Sequence, residues 1–124
     1  MKVISTDKAP AAVGPYSQAV VDGDVVYASG QIPVDPATGE MKSDVREAAR
    51  QSLTNLKNLL EAAGSDLENV IKVMIFITDM SKFGELNEVY AEFFSNHRPA
   101  RSCVEVSALP KGAVLEIEAI ARVN

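Results

Sequence analysis

An arginine, the single cysteine and three carboxylates recur at alternate positions near the end of the chain: Arg101, Cys103, Glu105, Glu116 and Glu118. The guanidinium fork fits a carboxylate through two parallel hydrogen bonds, so a partly buried Arg101 requires an anionic partner. That partner is either a bound acid or an internal ion pair with Glu105 or Glu116. Glu116 and Glu118 share one face of an extended segment. They form either an acid–base pair or two solvated carboxylates, the ordinary state of charged strand residues. A carboxyl desolvated beside a neutral neighbour rises in pKa and can move protons near neutrality. Cys103 lies two residues from Arg101, close enough for the cation to acidify its thiol, although a lone cysteine is commonly a small buried hydrophobe. His97, the only histidine, stands at a predicted helix end, where it complements the helix dipole. A Cys103–His97 catalytic pair lacks a third group to orient it. No CxxC or HxxxH spacing points to a metal.

These residues need elements to hold them. The run from Arg101 to Ala121 reads as two strands joined by a tight turn at Leu109-Pro110-Lys111-Gly112. With alternating faces, this hairpin gathers Arg101, Cys103, Glu105, Glu116 and Glu118 on one side. Upstream, Val3-Ile4 reads as a short edge strand. Asp22-Gly23-Asp24 between apolar runs signals a second hairpin, with Tyr16 and Ser29-Gly30 at strand ends. The segment from Gly30 to Met41 reads as a loop. Asp44, with Glu47 three residues on, predicts a capped helix with Leu53, Leu56, Leu59 and Leu60 on its apolar stripe, closed by Gly64. Arg46 and Arg50 fall on its solvated side. Ser65-Asp66-Leu67-Glu68 looks like a second capping box opening one helical turn. Residues 70–78 are apolar on both faces apart from Lys72: Ile71, Val73, Ile75 and Ile77 point one way, Met74 and Phe76 the other. Ser81 caps a second helix that ends near His97, since Pro99 cannot continue it. Asn87 and Tyr90 share one side of that helix.

The order strand, hairpin, helix, strand, helix, hairpin implies a mixed α+β sheet in one domain over residues 1–124. Its two strand–helix–strand units predict parallel pairings, with both helices on one face. Two helices leave the other face bare, although the central strand is apolar there too. A second copy of the chain is the expected cover, so an obligate homo-oligomer is predicted. The net charge is −5 and the basic residues are scattered, which argues against nucleic acid as a main partner. A lone cysteine fits a reducing compartment. No membrane-spanning run or signal peptide is read, and a cytoplasmic location is expected.

Five motifs carry a resemblance: G-P-Y-S-Q-A (14–19), Y-A-S-G-Q-I-P (27–33), D-P-x-T-G-E (35–40), R-Q-S-L-x-N-L (50–56) and P-A-R-S-C-V-E-V-S-A-L-P-K-G-A-V-L-E-I-E-A-I-A (99–121). Together they resemble the reactive intermediate deaminase family, RidA/YjgF, over essentially the whole chain. The resemblance implies a homotrimer of chorismate-mutase-like α+β subunits, their bare faces inside the oligomer and three sites between neighbours. It implies hydrolysis of 2-aminoacrylate and related enamine and imine acids to 2-oxo acids and ammonia, without cofactor or metal. Carried over residue by residue, it places the carboxylate-binding arginine on Arg101 and the water-activating glutamate on Glu116. Cys103 would line the pocket rather than attack. Tyr16, Ser29 and Gly30 would complete the substrate pocket, with the helix-borne pair Asn87 and Tyr90.

One stretch departs from the family pattern. Bacterial relatives of this type usually carry a slightly longer loop before the arginine, with an aromatic residue ahead of Pro-Ala-Arg. This chain has Asn96-His97-Arg98-Pro99 instead. Two further classes of function fit the same fold: RNA cleavage or translation inhibition, and a non-enzymatic small-acid-binding or holdase-like trimer.

Overall fold

The computed structural model describes residues 1–124. Six strands, β1 (Lys2–Ile4), β2 (Ala19–Asp22), β3 (Val25–Gln31), β4 (Val70–Ile77), β5 (Ala100–Glu105) and β6 (Leu115–Arg122), form one mixed sheet in the order β1-β2-β3-β6-β4-β5. Two helices, α1 (Val45–Ala62) and α2 (Phe83–Phe93), complete the α+β architecture.

Local chemistry accounts for most boundaries. The Asp44 side chain accepts the Glu47 backbone N–H at the start of α1. At its end, Gly64 adopts φ +81, and the N–H groups of Gly64 and Ser65 close onto the Glu61 and Leu60 carbonyls. This reversal satisfies two terminal carbonyls and needs a residue tolerant of the left-handed region. Asp66, rather than Ser65, caps the following single turn; the Ser65 hydroxyl donates instead to the Arg122 carbonyl. Nor does Ser81 cap the second helix. Asp79 accepts the Ser81 N–H and opens a 3₁₀ turn that runs into α2. That helix stops at Phe93, short of His97. Beyond it the His97 ring lies with Nε2 2.5 Å from the Val70 carbonyl oxygen, so this residue ties a loop to β4 instead of serving a helix dipole.

Leu53, Leu56, Leu59 and Leu60 of α1, Leu86 and Val89 of α2, and Val73, Ile75, Ile77, Leu115 and Ile117 of the sheet bury together. Each such side chain contributes about 2 kcal/mol on leaving water. Arg46 reaches Glu85 and Glu88, and Arg50 reaches Glu92, bridging α1 to α2 at the surface. Solvent screens such pairs, so they set the helices' alignment more than their affinity.

Three further expectations, all about the sheet, are corrected. The predicted hairpin between 101 and 121 does not form: β4 lies between β5 and β6, parallel to β5 and antiparallel to β6. A strand apolar on both faces belongs in the sheet interior, and residues 106–114 are long enough to carry the chain across its end. The same insertion separates β3 from β4, which run parallel but each pair with β6; only β4–β5 is a parallel ladder. Finally, Ile71 does not join Val73, Ile75 and Ile77 on the inner face. The register slips between Val70 and Lys72, leaving Ile71 about half exposed; an extra residue in one strand reverses the alternation beyond it.

Candidate active site

Facing residues in adjacent strands project to the same side of a sheet. Arg101, Cys103 and Glu105 face Val73, Ile75 and Ile77, the side covered by helices. Glu116 and Glu118 face Phe76 and Met74, on the bare side. The five polar residues expected together on one hairpin face are therefore split between opposite faces of the sheet. Arg101 pairs with neither Glu105 nor Glu116: its Nη1 donates to Asn87 Oδ1 at 2.7 Å. Its guanidinium carbon stands 4.5 Å from the Tyr90 ring centroid and 5.3 Å from that of Phe83. Glu105 is occupied elsewhere, accepting the Met80 N–H at 2.8 Å.

On the bare side a cavity of about 890 Å³ is lined by Tyr16, Ser29, Gly30, Phe76, Glu116 and Glu118, among others. Its floor is made by a bulge. The β3–β6 register shifts between Ala28 and Gln31, placing Ser29 and Gly30 in the irregular step. The Glu116 side chain lies directly over Gly30: a Cβ there would fall 2.5 Å from Oε1 and 2.6 Å from Cδ. Only a residue without a side chain lets the carboxylate approach the backbone so closely. The Ser29 hydroxyl donates to the Ser17 carbonyl at 2.6 Å and its N–H to the Gln18 carbonyl at 2.9 Å. These bonds pin the segment carrying Tyr16 to the bulge. Gln18 was not singled out from the sequence beyond its place in G-P-Y-S-Q-A, yet its buried amide is a hub. It accepts from the Thr6 N–H and donates to the Thr6 and Pro10 carbonyls, holding one cavity wall in place. Lys111, with φ +58, also lines the cavity. Nowhere do three His, Cys, Asp or Glu side chains converge as a metal site would need.

The electrostatics follow from this placement. Burial, reinforced by the neighbouring Glu118 charge, pushes the Glu116 carboxyl above its ordinary 4.5. Glu116 makes no ion pair, so it is a carboxyl poised to take up a proton. The expected acidification of Cys103 is reversed. Burial raises its thiol and outweighs the opposing pull of Arg101, which leaves it mostly protonated at neutral pH and unsuited to nucleophilic attack. Burial likewise raises Tyr90, against the opposing pull of Arg101; its hydroxyl has no hydrogen-bond partner within the chain.

A family model described as Endoribonuclease L-PSP matches residues 6–123. The chain is 50% identical over 123 residues to the 2-iminobutanoate/2-iminopropanoate deaminase of Escherichia coli K12, covering 97% of this chain and 96% of that protein. This chain belongs to the RidA/YjgF family. Its fold is shared with E. coli TdcF solved with bound serine, at a TM-score of 0.96 and 50% identity over 100% of both chains. RidA from an Antarctic Psychrobacter species gives a TM-score of 0.96 and 49% identity, covering 99% of this chain and 100% of that one. In this RidA/YjgF chain, Tyr16, Ser29, Gly30 and Glu116 are thus brought together in one cavity, while Arg101, Asn87 and Tyr90 form a second cluster with Cys103 beside it.

Gly30→Ala should displace the Glu116 carboxylate without straining the backbone. Turnover of an imino acid should fall by roughly 100-fold, the order of loss that small misplacements cause, with little change in melting temperature; unaltered turnover would show that the close approach is unimportant. Glu118→Gln removes the charge that helps hold the proton on Glu116. The Glu116 carboxyl titration, followed by carbon-13 NMR, should therefore move to lower pH in this variant, and an unmoved titration would refute the coupling.

Proposed function

We propose that this protein is a homotrimeric hydrolase that converts 2-iminopropanoate, formed from 2-aminoacrylate, and 2-iminobutanoate to their 2-oxo acids and ammonia. The observation that carries this reading is the division of charge: an arginine with no internal carboxylate and a carboxyl with no internal cation stand on opposite faces of one sheet. β5 is the sheet edge, so a neighbouring copy whose bare face rests against it would bring its Glu116 cavity to Arg101. Such packing would also cover Val104 and Tyr27, which are 38% and 49% exposed in the isolated chain. The identity to a named iminobutanoate deaminase and the likeness to a TdcF structure holding serine favour a small amino-acid-derived acid at this site.

In this mechanism Arg101 binds the carboxylate of the imino acid and fixes its plane. Glu116 accepts a proton from water as the water oxygen bonds to the imine carbon and the π electrons move to nitrogen. The carboxyl then returns that proton to the nitrogen of the tetrahedral intermediate. Glu116 next takes the hydroxyl proton and delivers it to the amino nitrogen; the C–N bond breaks, the freed oxygen electrons close the C=O bond, and ammonia departs. Orientation and proton transfer are the sources of rate. Ribonuclease chemistry, which the family description names, finds less support. The only histidine is engaged at the Val70 carbonyl and does not line the Glu116 cavity, and the net charge is −5.

The first test couples a pyridoxal-phosphate serine dehydratase to this protein and follows pyruvate release. Acceleration should be abolished by Arg101→Ala and mostly lost in Arg101→Lys, which keeps the charge but loses the fork. Full activity in the lysine variant would make Arg101 structural. Light scattering should give three chains per particle. Co-refolding the inactive Arg101→Ala and Glu116→Gln variants should restore partial activity through mixed sites; no recovery would place both residues in one subunit's site.

A further inference from the structure

The surroundings of Arg101 are unusual for a cation at the protein surface, because no carboxylate of the chain touches it. Phe83, Asn87 and Tyr90 are spaced i, i+4 and i+7 on α2, so one helical face presents ring, amide, ring. The amide takes one hydrogen bond from Nη1, at 2.7 Å. The two rings lie within the ~6 Å range of cation–π attraction. This arrangement satisfies the guanidinium on the protein side while leaving its charge unneutralised. An aspartate at position 87 would instead supply an internal carboxylate and compete with any bound acid. Tyr90 is also tied into the core, buried and with its ring 4.7 Å from that of Phe94 at a tilt of 32°. Phe83 is only half-buried and lies outside the fully buried core, so its ring is not needed to fill the interior.

We propose that Phe83 is a positioning residue of the site, its ring acting with that of Tyr90 as a clamp that fixes the guanidinium plane of Arg101 and so sets affinity for the carboxylate of the imino acid. The inference rests on the deaminase reading, since it concerns how Arg101 meets that acid. Phe83 touches no reacting atom; it acts through Arg101. Loss of the ring frees the guanidinium to rotate away from the pose that receives both carboxylate oxygens. The effect therefore falls on binding of the acid and spares the chemical step at Glu116.

The test compares Phe83→Leu, which keeps apolar bulk, with Phe83→Tyr, which keeps the ring. With 2-iminobutanoate generated by an amino-acid oxidase, Phe83→Leu should raise KM roughly three- to tenfold, the range expected from losing one such contact, with kcat altered less than twofold. Inhibition by 2-oxobutanoate should weaken by the same factor, and Phe83→Tyr should restore both values. A KM and inhibition constant unchanged in Phe83→Leu, or a tyrosine variant as impaired as the leucine one, overturns the proposal. A fall in kcat and melting temperature with unchanged inhibition would also overturn it, as the mark of a packing role only. Arg101→Ala is run in parallel. If the parent protein does not accelerate 2-oxobutanoate formation, the deaminase reading fails; if the parent is active and Arg101→Ala inactive while Phe83→Leu is normal, only the clamp fails.

Discussion

The position of β4 between β6 and β5 governs the rest of the structure. A strand that carries Val73, Ile75 and Ile77 on one side and Met74 and Phe76 on the other loses apolar burial at a sheet edge, so it takes the interior. Once it is there, β5 and β6 cannot pair with each other, and the register on either side is fixed. Facing Val73 places Arg101 on the helix side; facing Phe76 places Glu116 on the bare side. The two groups best suited to bind and protonate an imino acid are thereby separated by the thickness of a sheet. In the proposed assembly that separation is an asset, because each site is completed only when a neighbour supplies the missing half.

Both groups stand without an internal partner of opposite charge. Glu116 is drawn over Gly30 into a half-buried cavity beside a like charge, with no cation in the chain to offset desolvation. Arg101 is held by an amide and two rings, not by a carboxylate, and its charge stays available. Completing either group internally would make a more stable protomer and a poorer site. The scaffold absorbs such costs through the leucine stripe of α1 against the sheet, whose burial outweighs anything the surface ion pairs between α1 and α2 supply. Rigid support continues to the cavity wall, where Gln18 and Ser29 fasten the segment carrying Tyr16.

Much of the fold was legible in the residues. The Asp44 cap, the Gly64 reversal, the β2–β3 hairpin and the leucine stripe of α1 depend on interactions within a few positions, and each stands where its pattern predicted. The failures concern strand neighbours. Arg101 to Ala121 has the alternation and turn residues of a hairpin, but pairing depends on competition among all six strands, and β4 displaces β5 from β6. Ile71 has the right type for the inner face and loses it to a one-residue bulge. Ser81 and Asp79 are both able caps, and only the path of the chain into α2 selects Asp79.

Residue types alone reveal which side chains could bind and protonate an acid, because that capacity belongs to the groups: a planar guanidinium in Arg101, a carboxyl in Glu116, and the absent side chain of Gly30. The sequence also determined that one sheet face was left bare, since only two helices were available to cover a strand apolar on both sides. Tertiary structure alone decided that Arg101 and Glu116 lie on opposite faces, that the Cys103 thiol is raised and not lowered, and that Phe83 stands over the guanidinium. Those outcomes depend on register, burial and distances between residues far apart in the chain, which no local pattern of residue types encodes.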